Sequence, residues 1–183
     1  MLLKQIDLVN FRNFDSRKFN FSPLLTVIIG ENALGKTNLL EGIYFIINGT
    51  GFRETREIEL VNFEQMKSAS LEGVFTEKDL NYRFKILLTV REETLQKAYL
   101  ISGTKKRHSQ YLQDQTRCVL FTPQQIEILT GSPQRRRDYF NRFISLYDID
   151  YKKKLDNFES GLRRRKTPPA RIHRHDPACG VGR

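Results

Sequence analysis

Apolar and polar residues alternate along the first part of the chain in a way that predicts β-strands. The segment "LLKQIDLVNF" predicts a first strand, and "RKFNF" predicts a short second strand before Pro23. Further along, "KSASLEGVF", "NYRFKILLTV" and "TLQKAYLIS" are separated by polar or glycine-bearing turns, which indicates antiparallel strands. The apolar run "TRCVLF" predicts one more strand.

The pattern then changes to helical spacing. The segment "TPQQIEIL" predicts a short helix with Pro123 near its first turn. In "GSPQRRRDYFNRFISLY" the sequence predicts a helix with Ser132 as its N-cap and Pro133 at its first position. The segment "YKKKLDNFESGLRRR" predicts an amphipathic helix that places three apolar residues on one face: Leu155, Phe158 and Leu162.

Between these regions, an apolar run at residues 25–29 predicts a buried strand that leads into "GENALGKT" at residues 30–37. Glycines end the following helix near "NGTG". The apolar positions of that helix suit burial; they are Leu39, Leu40, Ile43, Phe45, Ile46 and Ile47. Strand, glycine-bearing loop and helix in this order are the context in which a P-loop occurs.

The spacing of "GENALGKT" is that of a phosphate-binding P-loop, with Gly30 and Gly35 on either side of four variable residues. Glycines allow the close backbone approach that a side chain would block. Main-chain N–H groups of the loop, including those of Glu31, Asn32, Ala33 and Leu34, would cradle phosphates at the start of the helix. The Lys36 ammonium would reach the β- and γ-phosphates, and the Thr37 hydroxyl would ligate Mg²⁺. A chance glycine turn is the competing interpretation, and the surrounding pattern disfavours it.

Composition adds a basic charge to this picture. The 183 residues suffice for one domain, and 31 Lys and Arg against 21 acidic residues give a net charge of +10. This balance favours a polyanionic partner, although charge alone also fits a solubilising surface.

The sequence offers little support for disulfide, zinc or membrane chemistry. Cys118 and Cys179 are too few for a disulfide framework, and no signal peptide or membrane-length apolar run is visible. We therefore expect a cytoplasmic protein with reduced thiols and no membrane partner. Without a CxxC pair or an HExxH motif, we interpret His108 as a surface loop residue rather than a ligand or base.

We expect three parts: residues 1–131 as the nucleotide-binding lobe, residues 132–165 as the start of a truncated helical arm, and residues 166–183 as a tail. The tail "KTPPARIHRHDPACGVGR" contains three of the six prolines and lacks a hydrophobic period. It is interpreted as disordered or non-native, with a native linker as the alternative. A metal site at His173 and His175 is less favoured still.

Four segments in order resemble the N-terminal part of the RecF family, bacterial recombination-repair ATPases related to the ATPase heads of SMC proteins. They are "NFRNF" at 10–14, "GENALGKTNLLEGIY" at 30–44, "GFRETREIELV" at 51–61 and "LFTPQQIEILTGSPQRRRDYFN" at 120–141. The resemblance spans residues 1–165. It implies an α/β fold: an ABC-type P-loop ATPase head lobe, with a mixed sheet that has an antiparallel strand-rich portion, followed by helices.

The same resemblance implies ATP and Mg²⁺ as cofactors and DNA at single-strand/double-strand gaps as a partner. It also implies an ATP-dependent homodimer of the full-length protein, recombination mediator proteins as partners, and roles in replication restart, gap repair and the SOS response. A small P-loop kinase or phosphotransferase, and the head fragment of an SMC-like protein with coiled coils, remain alternative functions.

Individual residues carry part of the resemblance. Arg12 and Asn13 would lie near the phosphates and base of the nucleotide, unless they form only an exposed cationic turn. Arg53 would contact DNA, or be an ordinary solvated arginine.

Three further arginines are candidate DNA contacts because of their place in a predicted helix. Arg135, Arg136 and Arg137 open that helix and oppose its macrodipole at a cost of about 0.3–1 kcal/mol each, which suggests an anion: DNA phosphate or a carboxylate of the fold. Gln124 and Gln125 stand at the Q-loop region, where the family usually has acidic residues, so a Mg²⁺ role there is in doubt.

Two motifs needed for hydrolysis are not convincing in this sequence. "FISLYD" at 143–148 imitates a Walker B strand but reads as helix, and "LISGTK" lies in the strand-rich region, where a signature loop is not expected. The sequence therefore predicts a truncated RecF-type protein and leaves open whether it is an enzyme.

Overall fold

Six strands form a single antiparallel sheet in the computed structural model, which describes residues 1–53, 56–62, 68–113, 117–123 and 127–166. The order across the sheet is β2-β1-β3-β4-β5-β6. The strands are β1 (Leu2–Phe11), β2 (Phe14–Asn20), β3 (Ser68–Glu77), β4 (Leu80–Arg91), β5 (Thr94–Ile101) and β6 (Thr104–Lys106).

The register aligns apolar residues on one face of the sheet. Leu8 pairs with Leu71, Leu71 with Ile86, and Ile86 with Tyr99, and all four are buried. Because side chains alternate between faces, the neighbouring row presents Asp7, Glu72 and Lys85 on the opposite face. The alternation seen in the sequence therefore determines which face of the sheet is buried.

Three two-residue turns connect the consecutive strands β3, β4, β5 and β6. Both residues of each turn have positive φ, the backbone geometry of type I′ hairpin turns, at 78–79, 92–93 and 102–103. This turn geometry matches the twist of the strands and sets their register.

Five helices lie in the described residues: α1 (Lys36–Asn48), α2 (His108–Gln113), α3 (Glu127–Thr130), α4 (Pro133–Tyr147) and α5 (Ile149–Lys166). A 3₁₀ helix spans Glu57–Leu60. Ser132 caps α4, since its side chain accepts a hydrogen bond from the Arg135 N–H at 3.4 Å. The predicted N-cap and the predicted Pro133 at the first position are both confirmed.

Helix α1 packs against the buried face of the sheet. A Cβ added at Gly42 would lie 3.0 Å from Leu8 Cδ2, so this glycine allows the helix to approach β1 closely. Phe45 packs near Phe11, with 6.4 Å between ring centroids. Gly49 ends the helix with φ of 70°, as the sequence predicts.

The chain divides into two compact units. The first covers Met1–Leu120 and contains the sheet and α1, and the second begins at Phe121 and contains α3, α4 and α5. The domain boundaries predicted from sequence stay predictions. No helix in the described part of the chain is long and apolar enough to cross a membrane.

Two predicted strands are wrong. Residues 25–29 form no strand, and Leu25, Val27 and Ile29 are exposed, Ile29 by 89%. Residues 117–121 form no strand either, and Val119 and Phe121 are exposed. A strand needs a neighbouring strand to pair with, and none of the six strands of the described sheet pairs with either segment. The antiparallel portion of the predicted sheet is confirmed, whereas no parallel pair occurs among the described strands.

The helix predictions need smaller corrections. The sequence predicts burial of Leu40 on α1, but this side chain is 42% exposed. The apolar face of α5 is not buried as a whole, because Phe158 is 63% exposed. Of the short helix predicted after Pro123, the described residues contain α3, Glu127–Thr130. Helix α5 extends through Lys166, which was expected to be the first residue of the tail. Gln124, Gln125 and the remainder of the tail, with His173, His175 and Cys179, lie outside the described residues.

Tyr111 on α2 anchors that helix to the end of α1. Its ring is fully buried between Phe84 and Tyr99, and its hydroxyl donates to the Ile46 carbonyl at 2.8 Å. The last carbonyls of a helix have no intrahelical partner, and this bond gives one of them a buried side-chain donor at the end of α1.

We expect Tyr111→Phe to lower the free energy of unfolding by about 0.5–1.5 kcal/mol, because it removes only the hydroxyl and with it the buried hydrogen bond to the Ile46 carbonyl. Urea unfolding measures the change. Tyr82→Phe is the matched control, since Tyr82 also packs on the core but its hydroxyl has no partner among the described residues. Equal stability of the two variants would contradict the anchoring role.

Candidate nucleotide-binding site

The loop at residues 30–37 leads directly into α1, and Gly35 is the N-cap of that helix. Gly35 adopts φ of 96°, which strongly favours glycine. A Cβ at this position would lie 2.7 Å from the side-chain amide atoms of Asn13 and 2.8 Å from Phe14 Cζ. The backbone angle and the lack of space for a Cβ both require glycine at this position. The predicted close backbone approach at Gly35 therefore has a physical basis.

Lys36 folds back over the loop. Its ammonium donates to the carbonyl oxygens of Gly30 and Glu31, each at 2.7 Å. These two bonds place the cation inside the curve of the loop, where a phosphate group would meet it.

The start of α1 is open to an anion. Gly35 supplies no side-chain cap, and the first turn contains no acidic residue. The first N–H groups of a helix lack intrahelical partners and carry the positive end of the helix dipole. Thr37 is exposed, so its hydroxyl is accessible to a cation.

This arrangement fits Mg²⁺-ATP. The positive-φ Gly35, the uncapped helix start and the inward Lys36 ammonium supply donors and charge for phosphates, and Thr37 supplies a metal-ligand oxygen. Asn32, Ala33 and Leu34 are exposed along the loop, and Ala33 adopts φ of 69°. The roles of residues 30–37 remain predictions that this geometry supports.

The turn between β1 and β2 contacts the loop and the start of α1. Asn13 accepts a hydrogen bond from Asn38 at 2.8 Å and lies against Gly35. Asn13 therefore contacts the start of α1 directly, and its predicted place near the phosphates and base of the nucleotide remains a prediction.

Arg12 is not an exposed cation, so the competing interpretation of an exposed cationic turn is wrong for this residue. Its side chain is 11% exposed and forms a bidentate pair with Glu41, with Nε–Oε2 at 2.8 Å and Nη2–Oε1 at 3.1 Å. Its Nη1 also donates to the Glu59 carbonyl at 3.1 Å. The guanidinium therefore points to α1 and the 3₁₀ helix, and its predicted role near the phosphates stays untested.

Arg53 approaches the same carboxylate. Its Nη1 lies 3.6 Å from Glu41 Oε2, and its guanidinium lies 5.9 Å from the centroid of the Phe52 ring. A cavity of about 140 Å³ is bordered here by five residues: Glu41, Gly51, Arg53, Glu57 and Leu60. Arg53 is thus partly neutralised and 30% exposed, and its predicted contact with DNA remains a prediction.

The other predicted DNA residues belong to the second unit. Arg135, Arg136 and Arg137 occupy the first turn of α4 and are exposed. Arg137 donates to the Gln134 side chain at 3.5 Å. Their exposure is compatible with phosphate contact.

The two segments that resemble catalytic motifs in sequence, "FISLYD" and "LISGTK", do not have the structure of a Walker B strand or a signature loop. Residues 143–147 are helical, and Asp148 caps the next helix by accepting from the Tyr151 N–H at 2.9 Å. "LISGTK" forms the turn between β5 and β6, with positive φ at Ser102 and Gly103. The predicted helix at residues 143–147 and the predicted place of "LISGTK" in the strand-rich region are confirmed. Among the described residues, no three His, Cys, Asp or Glu side chains are grouped so as to hold a metal ion.

Two residues that the sequence left unremarkable lie at the far end of α1. Lys97 donates to the Gly49 carbonyl at 3.0 Å and to Glu57 Oε1 at 2.6 Å. The positive charge of its ammonium is stabilised at the C-terminal end of α1, where the helix dipole is negative. Burial, and secondarily the charge of Glu57, raise the pKa of Tyr99 to about 12.

His108 begins α2, with its ring 4.8 Å from that of Tyr99, so the prediction that His108 lies in a loop is wrong.

Cys118 is a free, half-buried thiol. Burial raises its pKa, and a hydrogen bond from Asn48 at 3.2 Å acts in the opposite direction. A raised pKa leaves little thiolate, so the residue is poorly suited to nucleophilic chemistry.

Comparison with known proteins assigns a family to this geometry. Residues 1–174 match the AAA ATPase domain family. The DNA replication and repair protein RecF of Lactobacillus johnsonii is 33% identical over 165 residues, which are 90% of this chain and 43% of that protein. The chain spans less than half the length of the curated relatives it matches.

Solved structures agree with the sequence relationship. A structure of the recombination mediator protein RecF with ATP, from the RecFOR pathway, is 30% identical, with a TM-score of 0.80 over 97% of this chain and 47% of that one. A structure of SMC ATPases, described for ATP-driven dimerization and DNA-stimulated activation, is 18% identical, with a TM-score of 0.62 over 75% of this chain and 96% of that one. At this identity the SMC structure supports the ABC-type head fold alone. The chain belongs to the AAA ATPase domain family and is a homologue of the N-terminal portion of RecF proteins.

Proposed function

We propose that this chain is the nucleotide-binding part of an ATP-binding, DNA-binding repair factor of the RecF type. The observation that carries the proposal is the loop before α1, where the Lys36 ammonium lies inside the curve at 2.7 Å from two carbonyl oxygens. The ATP-bound state of a homologous RecF supports ATP as the nucleotide.

On nucleotide binding, Lys36 exchanges its two carbonyl acceptors for phosphate oxygens. The exchange is favourable because an ammonium–phosphate bond joins two charged groups, whereas the bonds it replaces have a neutral acceptor. The uncapped N–H groups of α1 donate to the same anion, and Thr37 provides an oxygen to Mg²⁺. Bound Mg²⁺-ATP supplies the triphosphate whose charge these groups recognise.

DNA is the proposed macromolecular partner, at single-strand/double-strand gaps. Support comes from the net charge of +10 and from homology to DNA replication and repair proteins. We further propose that the whole protein dimerises with ATP and works with recombination mediators in the cytoplasm, in replication restart, gap repair and the SOS response. The fold shared with SMC ATPases that undergo ATP-driven dimerization supports the dimer.

Nucleotide binding depends on Lys36 and Thr37. We expect Lys36→Ala to remove Mg²⁺-ATP binding, measured by titration with a fluorescent ATP analogue, because the mutation deletes the cation inside the loop. Lys105→Ala on the exposed β6 is the matched control and should bind as the unaltered protein does. Unchanged affinity in a folded Lys36→Ala protein would contradict the P-loop assignment.

Hydrolysis by this chain alone should be negligible. Its sequence offers no convincing Walker B carboxylate or signature loop to position water and stabilise the transition state. A steady-state phosphate-release assay on the purified protein tests this expectation. Turnover that disappears with Lys36→Ala would reveal a catalytic acid elsewhere in the chain.

Binding to DNA should be weak, independent of sequence and sensitive to salt. Log affinity for duplex should fall linearly with log salt, by ~0.9 per phosphate contact, and Arg53→Ala or Arg136→Ala should each reduce the slope by ~1. Arg91→Ala, at the exposed end of β4, is the control. The comparison is repeated with a protein ending at Arg165, because Arg171, Arg174 and Arg183 in the tail could bind DNA by themselves. If the shortened protein ignores DNA at low salt, the DNA function does not belong to these residues.

A further inference from the structure

Glu41 is a buried carboxylate on α1, four residues after Thr37. It is fully shielded from solvent, and charged side chains are rarely buried in this way unless they are paired. Its position within the helix that carries the P-loop residues raises the question of what the charge does there.

The contacts of Glu41 are strong and directional. Both carboxylate oxygens accept from Arg12, at 2.8 and 3.1 Å, in the bidentate geometry that fixes two planar groups relative to each other. Arg53 adds a second cation at 3.6 Å. Glu41 therefore connects α1 to the β1–β2 turn and to the segment after the helix.

The residue after Arg12 contacts the P-loop itself. The side-chain amide of Asn13 lies 2.7 Å from the place where a Cβ of Gly35 would be, and its oxygen accepts a hydrogen bond from Asn38. Asn38 lies three residues before Glu41 on α1, so the two side chains are neighbours on the surface of the helix. The turn thus rests on the start of the helix through Asn13 and is held to it by the Arg12–Glu41 pair.

These contacts differ in strength. The Asn13–Asn38 bond is a single neutral hydrogen bond at an exposed position, where water competes for both groups. The Arg12–Glu41 pair is bidentate, charged and shielded from water, and bonds of this type are roughly twice as strong as neutral ones. The pair is therefore the dominant side-chain contact between the turn and α1.

Building on the proposed nucleotide function, we propose that Glu41 is a positioning residue for the P-loop. It fixes the turn of Arg12 and Asn13 against Gly35, and thereby maintains the loop shape in which Lys36 points inward. Glu41 itself contacts no nucleotide. The competing possibility is that the pair contributes stability alone, and the experiment below separates the two.

The first variant is Glu41→Gln, which keeps the size of the side chain and removes its charge. We expect ATP affinity to fall ~10-fold, comparable to the loss when an outer partner of a ligand-contacting group is removed. Without nucleotide, the NMR signals of the Gly35 amide and the Asn13 side chain should also shift. Glu72→Gln is the matched control, since Glu72 pairs with Lys85 and Arg83 on the opposite face of the sheet and should leave both readouts unchanged.

The second variant is Arg12→Met with Glu41→Leu, which replaces the pair by apolar groups of similar size. Such replacements of buried ion pairs are often neutral or stabilising, so the unfolding midpoint in urea should lie near that of the unaltered protein. If the pair positions the turn, the Gly35 amide signal without nucleotide nevertheless stays shifted, and ATP affinity stays reduced. The signal without nucleotide does not depend on any direct contact between Arg12 and the nucleotide. This variant keeps the question answerable if Glu41→Gln fails to fold.

Three results would overturn the inference in distinguishable ways. Wild-type ATP affinity and an unchanged Gly35 signal in Glu41→Gln, beside loss of binding in Lys36→Ala, would reject the positioning role and leave the proposed function standing. Affinity that recovers together with stability in the double variant would assign Glu41 to stability alone. Retained binding in Lys36→Ala would reject the proposed function, and the positioning role would fall with it.

Discussion

The packing of α1 on the buried face of the antiparallel sheet is the contact on which the rest of the first unit depends. Leu39, Phe45 and Ile46 face the sheet, and burial of each such side chain contributes about 1.5–3 kcal/mol. The same packing fixes where the helix begins. Because α1 cannot slide along the sheet without losing these contacts, its uncapped first turn is held at a defined place beside the β1–β2 turn.

The Arg12–Glu41 pair adds orientation to this packing. A buried ion pair is weak evidence for stability, since the cost of removing two charges from water can exceed their attraction. Its value here is geometric: a bidentate pair allows one arrangement of turn and helix where apolar packing would tolerate several. Such specificity matters at the proposed phosphate site, because the groups of a binding site must be held within about 0.5 Å of their productive positions.

The sequence predicted the antiparallel strands, α1 and the P-loop because each depends on local chemistry: alternation, hairpin turns, glycine and helix caps. It failed at residues 25–29, where an apolar run has no neighbouring strand among the described residues, because pairing is not encoded in the run itself. It also missed Glu41, since one acid in an apolar helix resembles a solvent-facing residue. The signal that could have found it is its place among Leu39, Gly42 and Ile43, on a helix expected to be buried.

Mapping Mg²⁺-ATP on the chain by NMR chemical shifts is the most direct test of phosphate binding at the start of α1. The largest changes should fall on the backbone amides of residues 31–38, with a smaller set at Asn13 and Arg12, whose turn contacts Gly35. Changes of that pattern would place the phosphates at the start of α1. Saturation without any change at Gly35 and Lys36, or changes confined to the opposite face of the sheet, would contradict phosphate binding by residues 30–37.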